Sequence, residues 1–416
     1  MDNAPARPIV SRMAKSSDIV IVGGGLNGPV LALALARAGF GVTLIDATPA
    51  ADHRAADFDG RAYALALTSC RLLRAIGLWD SLAPDAQPMN EIKVSDGRAG
   101  EGAAPWILHF DHAEIEEGPM GHMVEDRHLR RALLAAITDN AEITHLTGQT
   151  VIGQTPGPGE IGVRLDTGAH LAAALLIGAD GRQSGTAERA GIRRTGWGYG
   201  QTAIVCAVEH EKDHGGIAHQ FFMPAGPLAI LPLTGRRCSI VWSETDDRAA
   251  EIMAMDDADF LDALRPAFGS FLGEIAPVGR RYAYPLGLTL AERFIAERVA
   301  LVGDAAHGMH PIAGQGLNAG LRDVAALTDV LTAARRRGED SGSPGPLAEY
   351  ERWRRFDTAG LALATDTFNR LFSNDNPLFR ATRDIAMAAV GSVPGLRRGF
   401  IREAAGLTGD VPSLMR

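Results

Sequence analysis

The feature that most constrains the fold is a glycine-rich turn near the start of the chain, placed between two apolar runs. The β-branched run 18–22 predicts a buried parallel strand, and the Ala/Leu-rich run after the turn predicts a helix. The turn itself contains Gly23-x-Gly25-x-x-Gly28. A second β-branched run, 42–46, follows the helix. These four pieces predict a βαβ unit of an open α/β sheet.

The spacing of the glycines in this turn suits a bound diphosphate. The first, Gly23, permits the tight turn, while Gly25 lets the backbone approach a pyrophosphate and Gly28 lets the helix pack closely on the strand. The helix N-terminus adds partial positive charge. Asp46 ends the next strand about 20 residues after Gly25, where a carboxylate can accept hydrogen bonds from ribose hydroxyls. The turn therefore predicts a dinucleotide-binding domain.

Two later segments repeat the pattern of a strand that ends in small residues and an aspartate. These are Asp180-Gly181 and Gly303-Asp304, and the carboxyl ends of strands in an open sheet are where ligands bind. The second segment continues through a glycine-rich turn into a helix that runs to about Leu331. Backbone N–H groups in this turn can bind an anion, and the helix dipole stabilises negative charge there.

Length and charge limit the class of protein. A chain of 416 residues is long enough for two cores, and its net charge of −9 and pI near 5.8 argue against a nucleic-acid partner. The three cysteines are scattered, which indicates neither a disulfide framework nor a metal site, and a cytoplasmic location is expected. No apolar run is long enough to span a membrane, and residues 1–17 are expected to form a flexible tail.

The three motifs, in this order, resemble those of the class A flavoprotein monooxygenases, which share the p-hydroxybenzoate hydroxylase fold. Finer patterns are similar to the ubiquinone-biosynthesis hydroxylases, and most to the 2-polyprenyl-6-methoxyphenol hydroxylase branch. The segments that carry this similarity are 58–66, 226–233, 238–242 and 310–318. The resemblance covers about residues 18–374.

The resemblance implies an α/β fold in which a Rossmann-like FAD-binding domain is interleaved with an antiparallel-sheet substrate domain, followed by C-terminal helices. The FAD-binding domain is expected at 18–75, 100–187 and 280–337. The substrate domain is expected at 76–99 and 188–279, and the helical region at 345–416.

The resemblance also assigns site residues. The residues expected to bind FAD are Gly23, Gly25, Gly28, Asp46, Arg61, Arg127, Asp180, Gly303, Asp304, Pro311, Gly316, Leu317 and Asn318. Those expected at the reacting centre are Arg61, Pro311, Gly314, Gln315 and Gly316. Asp304 is expected on the ribityl chain, Arg61 near the flavin or substrate, and Arg127 on the pyrophosphate. The alternative interpretation is a solvated side chain for Arg61 and a surface position at a helix start for Arg127.

Some residues invite a catalytic interpretation but favour a structural one. His307 and His310 lie at a turn, where a histidine commonly bonds the backbone, and Met253 and Met255 are typical of core packing. No metal site is expected.

The implied reaction is the hydroxylation of a polyprenylated phenol by O₂ through a flavin C4a-hydroperoxide. NAD(P)H or another donor would reduce the flavin transiently. A hydroxylase of a small soluble phenol and a flavin-retaining scaffold of a biosynthetic complex are the alternatives. The sequence leaves the oligomeric state undecided, and a homo-oligomer is one of the alternatives. The arginine-rich segment 376–416 suits either peripheral membrane docking or packing on the body of the protein.

Overall fold

The computed structural model describes residues 17–50, 58–98, 102–308, 315–372 and 393–416. The expected flexible tail lies almost entirely outside the described residues. The strands are β1 Ile19–Val22, β2 Val42–Asp46, β3 Ala62–Ala66, β4 Ala86–Met89, β5 Glu91–Arg98, β6 Gly102–Asp111, β7 Gly121–Glu125, β8 Ile143–Thr147, β9 Val151–Pro156, β10 Ile161–Leu165, β11 His170–Ala173, β12 Leu175–Gly178, β13 Arg194–His210, β14 Ile217–Met223, β15 Gly226–Leu233, β16 Arg237–Thr245, β17 Ile275–Ala291, β18 Ile295–Ala296, β19 Val299–Leu301 and β20 His307–Gly308. The helices are α1 Asn27–Arg37, α2 Leu67–Ala75, α3 Trp79–Leu82, α4 Asp126–Thr138, α5 Gly185–Arg189, α6 Asp246–Ala254, α7 Asp257–Phe268, α8 Gln315–Arg336, α9 Pro344–Phe372 and α10 Pro394–Ala404.

A six-stranded sheet forms the centre of the nucleotide-binding part, in the order β18-β19-β12-β1-β2-β8. All of its strand pairs are parallel except β18 with β19. The strand β1 lies between β2 and β12, and its four residues are fully buried, as a strand covered on both faces must be. The predicted βαβ unit is confirmed.

The second large sheet has eight strands in the order β20-β17-β13-β16-β15-β14-β5-β6. It is antiparallel apart from the pairing of β14 with β5. The helices α6 and α7 cover one face, where Phe260, Leu264 and Phe268 join a buried cluster with strand residues. This antiparallel sheet inserted in an α/β protein is the architecture that the resemblance implied.

A small sheet, β3-β7-β4, connects the two large ones. Met89 and Met123 of the small sheet form one buried cluster with Ala207 and Leu233 of the antiparallel sheet. The face of the antiparallel sheet that α6 and α7 leave uncovered is therefore turned toward the nucleotide-binding part. Met253 and Met255, near α6, pack against the cluster on the opposite face, so they do not line this junction.

Sheet membership differs from the expected domain boundaries at three places. The strand β6 and residues 280–291 of β17 belong to the antiparallel sheet, although both fall in ranges expected for the FAD-binding domain. Residues 78–86 pack instead in the core of the parallel sheet. The strands β10 and β11 form an antiparallel hairpin, while β12 turns away into the parallel sheet.

The C-terminal segment 393–416 packs on the body of the protein. Ile401 of α10 is buried against Leu108, Phe110 and Met120, and Met415 lies in the main core. None of the helices in the described ranges is both long and apolar enough to cross a membrane.

Candidate functional site

The motifs found in the sequence meet at one edge of the parallel sheet. The strands β1, β2, β12 and β19 run in the same direction, so their carboxyl ends lie side by side. Gly23, Asp46, Asp180 and Gly303 follow or end these strands. The carboxyl edge of an open α/β sheet is where such folds bind ligands.

The glycine turn after β1 has the geometry that a diphosphate site requires. Gly23 has φ +116°, and a Cβ there would lie 2.3 Å from the carbonyl oxygen of Ala179. A Cβ at Gly28 would lie 1.9 Å from the carbonyl oxygen of Gly23. At Gly25, by contrast, a Cβ would meet no described heavy atom within 4 Å. Two of the glycines are thus required by the protein itself, whereas Gly25 faces open space where a ligand can approach.

Asp46 lies at the end of β2, directly beside this turn. Its residue is 4% exposed, and its Oδ1 accepts a hydrogen bond from the Thr48 N–H at 2.9 Å. A Cβ at Gly24 would lie 1.7 Å from Asp46 Oδ2. The carboxylate and the glycine turn are therefore in direct contact, as the ribose-binding expectation for Asp46 requires.

Asp180 has a structural task in the turn after β12. Its carboxylate accepts hydrogen bonds from Thr186 N at 2.9 Å, from Thr186 Oγ1 at 2.8 Å and from Ser184 Oγ. These bonds hold the start of α5, because its first N–H groups have no partner within the helix. The supporting role expected for Asp180 is compatible with this geometry, and its contact with a cofactor stays a prediction.

The turn Gly303-Asp304 lies at the end of β19 and continues through β20, which pairs with β17 of the antiparallel sheet. Gly303 has φ +60°, and its N–H donates to Asp323 Oδ2 at 2.9 Å. The Asp304 side chain is 37% exposed, with Arg182 Nε 3.2 Å from its Oδ2. This carboxylate is thus directed outward at the sheet edge, where the resemblance places the ribityl chain.

A buried ionic network, which the sequence did not reveal, holds this turn in place. Asp323 of α8 is fully buried, and its carboxylate bonds His307 Nε2 at 2.5 Å and Arg354 Nε at 2.7 Å. Burial alone raises the pKa of Asp323, but His307 and Arg354 outweigh it and hold this pKa below its usual range. His307 therefore has the structural role expected of it, with a carboxylate rather than the backbone as its partner.

The start of α8 joins the turn region to the small sheet. Asn318 Oδ1 accepts from Ala66 N at 2.9 Å and from Ser69 Oγ at 2.7 Å, and its Nδ2 donates to the Ala64 carbonyl at 2.8 Å. The Asn318 side chain therefore holds β3 and α2 in place. Its predicted contact with the cofactor stays a prediction.

Gln315, Gly316 and Leu317 form the first turn of α8, and a Cβ at Gly316 would meet no described heavy atom within 4 Å. This open first turn agrees with the anion-binding expectation. Pro311, Gly314 and His310 lie outside the described residues.

Arg61 is half-buried at the junction of the sheets and is paired rather than solvated. Its Nη2 lies 2.6 Å from Asp59 Oδ2 and 3.3 Å from Asp126 Oδ2, and its guanidinium stands over the Tyr282 ring at 5.5 Å. Burial lowers the pKa of Arg61, but the two carboxylates outweigh it and raise this pKa above its usual range. A permanent cation thus stands between β3 and β17.

Arg127 has a similar setting at the start of α4. Its Nε donates to Glu125 Oε2 at 2.7 Å, and Glu125 Oε1 accepts from Arg237 Nη2 at 2.7 Å. Both guanidiniums lie over the Phe58 ring, Arg127 at 5.5 Å and Arg237 at 5.0 Å. The predicted pyrophosphate contact of Arg127 stays a prediction, and sequence reasoning overlooked Glu125 and Arg237.

The uncovered face of the antiparallel sheet supplies an apolar surface next to Arg61. Val205, Ala229 and Val241 lie opposite one another on neighbouring strands and are half-buried. Tyr282 pairs with Val205, so it shares their face, and Tyr284 beyond it is 43% exposed. We call Val205, Ala229, Val241, Tyr282 and Tyr284 the apolar bed.

These residues fit FAD. The open position at Gly25 and the helix N-terminus behind it suit the diphosphate, Asp46 suits the adenosine ribose, and Asp304 suits the ribityl hydroxyls. The turn that carries Asp304 continues through β20, which pairs with β17 at Thr289 and Leu290.

Comparison with known proteins agrees with this reading. Residues 16–359 match the family model described as an FAD binding domain. The chain is 45% identical over 412 residues to ubiquinone hydroxylase UbiL of Rhodospirillum rubrum, covering 98% of this chain and 95% of that protein. It is 35% identical to the Escherichia coli 3-demethoxyubiquinol 3-hydroxylase, covering 94% and 99% of the two chains.

Solved structures share the fold at lower identity. The p-nitrophenol 4-monooxygenase of Pseudomonas putida superposes with a TM-score of 0.78 at 21% identity, covering 95% of this chain and 98% of that one. The anhydrotetracycline hydroxylase of Streptomyces rimosus gives a TM-score of 0.73 at 22% identity, covering 96% and 77%. The chain belongs to the FAD-dependent monooxygenases of class A, in the family of the ubiquinone-biosynthesis hydroxylases.

Proposed function

We propose that this enzyme hydroxylates the aromatic ring of a polyprenylated phenol in ubiquinone biosynthesis. The relatives support the pathway, because UbiL, the Escherichia coli hydroxylase and the human ubiquinone biosynthesis monooxygenase COQ6 all match over most of their length. The observation in the structure that carries the proposal is the apolar bed beside Arg61. An electron-rich ring with a hydrocarbon tail has the chemistry to lie on such a surface.

The geometry gives each group a task. FAD, when bound, supplies the activation of O₂. The apolar bed holds the substrate ring by burial of apolar surface, worth roughly 25 cal/mol per Å² covered, and excludes water from the junction. Arg61, held by Asp59 and Asp126, stabilises negative charge that develops on the phenol or on the cofactor. The N–H groups in the first turn of α8 would stabilise negative charge in the same way.

The test begins with the protein purified with FAD and a strain lacking its gene. The proposal expects a flavin absorption spectrum, and it expects the strain to accumulate a polyprenylphenol that lacks one hydroxyl group. Purified enzyme with NAD(P)H and O₂ should convert that compound. Turnover of small phenols with an undisturbed quinone pool would favour the small-phenol alternative. Flavin without O₂-dependent turnover of any phenol would favour the scaffold.

A variant separates the apolar bed from cofactor binding. The change Ala229→Trp places a large ring on the bed without touching the glycine turn, so turnover of the prenylated phenol should fall at least tenfold. FAD content should be unchanged. The change Ala254→Trp at the end of α6 is the matched control on the covered side of the sheet, and it should leave the KM for the phenol unchanged. Unchanged turnover of the prenylated phenol by the Ala229→Trp variant would contradict the assignment.

We further propose that the enzyme meets its membrane-borne substrate through an exposed ridge on α10. Leu396 and Phe400 are 51% and 41% exposed and lie one turn apart. Arg398 and Arg402 lie about 200° around the helix from them, so the arginines do not share this ridge. Deleting the segment is an unsuitable test, because Ile401 is part of the core.

The sharper test replaces Leu396 and Phe400 by Glu and measures co-sedimentation with anionic liposomes. The proposal expects binding to be lost with FAD content retained. The control is Ile152→Glu, since Ile152 is 49% exposed in the nucleotide-binding part. Full binding by the double variant would refute docking through α10.

A further inference from the structure

A cavity of about 300 Å³ lies between α8, α9, the start of α2 and residues 403–409 of the C-terminal segment. Its volume is at the lower end of the range of pockets that hold a small-molecule ligand. Gln315, Asn318, Ala319 and Arg322 form its wall on α8, and their spacing places them on one face of that helix. No residue of the glycine turn or of the apolar bed lines this cavity.

Two buried polar atoms at this cavity have no hydrogen-bond partner within the described part of the chain. Thr358 of α9 is 1% exposed, and its Oγ1 does not even bond the helix carbonyl behind it. The Nε of Arg322 is also buried and unpaired, because Asp357 Oδ2 at 3.7 Å is too distant for a hydrogen bond. Buried polar groups in folded proteins nearly always have a partner. Two such groups on one cavity therefore point to a ligand that satisfies both.

The charge of Arg322 is only partly compensated. Burial and the neighbouring Arg354 lower the pKa of Arg322 below its usual range, and they outweigh the opposite effect of the nearby carboxylates. Those carboxylates already have partners, since Asp357 Oδ2 accepts from Arg354 Nη1 at 2.8 Å and Glu403 accepts from the Thr408 hydroxyl. A negative charge added beside Arg322 would therefore be stabilised.

The donors and the volume favour a small carboxylate over other anions. The Arg322 Nε–H can only donate and the Thr358 hydroxyl can donate, so a ligand with two acceptor oxygens satisfies both. A halide would fill only a small part of the cavity. A dianion would require a second uncompensated cation, but Arg354 is bonded to Asp323 and Asp357.

We propose that this cavity binds a small monocarboxylate, whose oxygens accept from Arg322 Nε and Thr358 Oγ1 and whose hydrocarbon part lies against Ala66 and Ala319. The ligand would connect α8 with α9. Arg322 Nη2 also donates to the Thr408 carbonyl, which ties the C-terminal segment to the same site. A bound carboxylate should therefore stabilise the packing of that segment on the body of the protein. This inference does not depend on the identity of the phenol substrate.

The experiment titrates sodium butyrate into the FAD-loaded protein by calorimetry and records thermal melts at constant ionic strength. Butyrate should bind at one site and raise the Tm. Butyramide, which has the same shape without the charge, and sodium chloride should do neither. The change Thr358→Val keeps the shape and removes the hydroxyl, so it should weaken butyrate binding about tenfold. The change Arg322→Gln removes the charge and should abolish measurable binding.

The matched control is Thr328→Val, which removes a buried hydroxyl of α8 that donates to the Val324 carbonyl and does not line the cavity. This variant should keep the butyrate affinity of the parent. Arg322→Gln also loses the bond to the Thr408 carbonyl, so its result is taken from calorimetry, and Thr358→Val decides the test if that variant does not fold. The proposal would be overturned by a parent that binds no butyrate, by equal binding of chloride or butyramide, or by parental affinity in Thr358→Val.

Discussion

The change Asp323→Asn tests whether the buried ionic network holds the Gly303-Asp304 turn. Asp323 is fully buried and accepts from His307, Arg354 and the N–H of Gly303. Asparagine keeps the size and one oxygen, so the change creates no cavity. It removes the negative charge that compensates Arg354, and its amide N–H₂ faces groups that are themselves donors.

The expected cost is large because Arg354 cannot reach water. Its side chain is 2% exposed, and loss of one partner from a buried ion pair costs about 3–5 kcal/mol. Asp357 still bonds Arg354 Nη1 at 2.8 Å, so we expect the lower half of that range. The turn also loses part of its anchor at Gly303, and FAD affinity should fall about tenfold, or about 1.4 kcal/mol.

The assay is urea unfolding of the FAD-free protein, together with an FAD titration followed by flavin fluorescence. Asp262→Asn is the matched control, because Asp262 is 75% exposed and pairs with Arg265 on the surface, where a pair contributes at most about 1 kcal/mol. The double variant Asp323→Asn/Arg354→Gln should be less destabilised than the sum of its parts. A change below about 1 kcal/mol in Asp323→Asn, or strict additivity in the double variant, would refute the reasoning.

The pH dependence provides an independent check on the same network. Because the folded-state pKa of Asp323 is lowered, its ionised form contributes stability above the unfolded pKa of about 3.9, and this contribution is lost as pH falls through the folded pKa. The acid limb of the stability profile should therefore be flatter in Asp323→Asn than in the parent. An identical acid limb would show that the carboxylate is not stabilised as the structure indicates.

Further predictions concern the glycine turn and a half-buried histidine. Gly25→Ala should weaken FAD binding while leaving the urea midpoint of the FAD-free protein unchanged, because a Cβ there meets no described atom within 4 Å. Gly28→Ala should lower both the FAD affinity and the urea midpoint, because its Cβ overlaps the Gly23 carbonyl. Equal behaviour of the two variants in these assays would count against the assignment. Burial, with a smaller effect from Lys93, lowers the pKa of His219 to about 4. Between about pH 6.5 and 4 the unfolded state therefore binds one more proton than the folded state. The free energy of unfolding falls by about 1.4 kcal/mol per pH unit as the pH decreases through this range. The change His219→Phe suits the neighbouring aromatic rings and should remove the contribution of His219 to the pH dependence of stability, measured by thermal melts across this pH range. An unchanged pH dependence would contradict the lowered pKa of His219.

The nucleotide-binding half of the fold could be predicted because its signals are local. A β-branched run, a glycine turn and an apolar helix lie within residues 18–46, and the chemistry of each is visible in the sequence. The strands of the antiparallel sheet are different. The strand β6 directly follows its partner β5, but the pairing that places both strands in this sheet joins Glu91 to Ile217, a contact that no local pattern records.

The sequence by itself determined the class of protein, the dinucleotide turn and the aspartates at the sheet edge, because these depend on short motifs whose geometry is nearly independent of context. Only the tertiary structure decided what supports them. Asp323 and Arg354 lie 31 positions apart, and nothing in their neighbours marks them as partners. Trp197 and Leu288 likewise lie about 90 residues apart in the sequence, and only strand pairing brings them together. Buried charge and concave surfaces are properties of packing, so they appear only once the chain has folded.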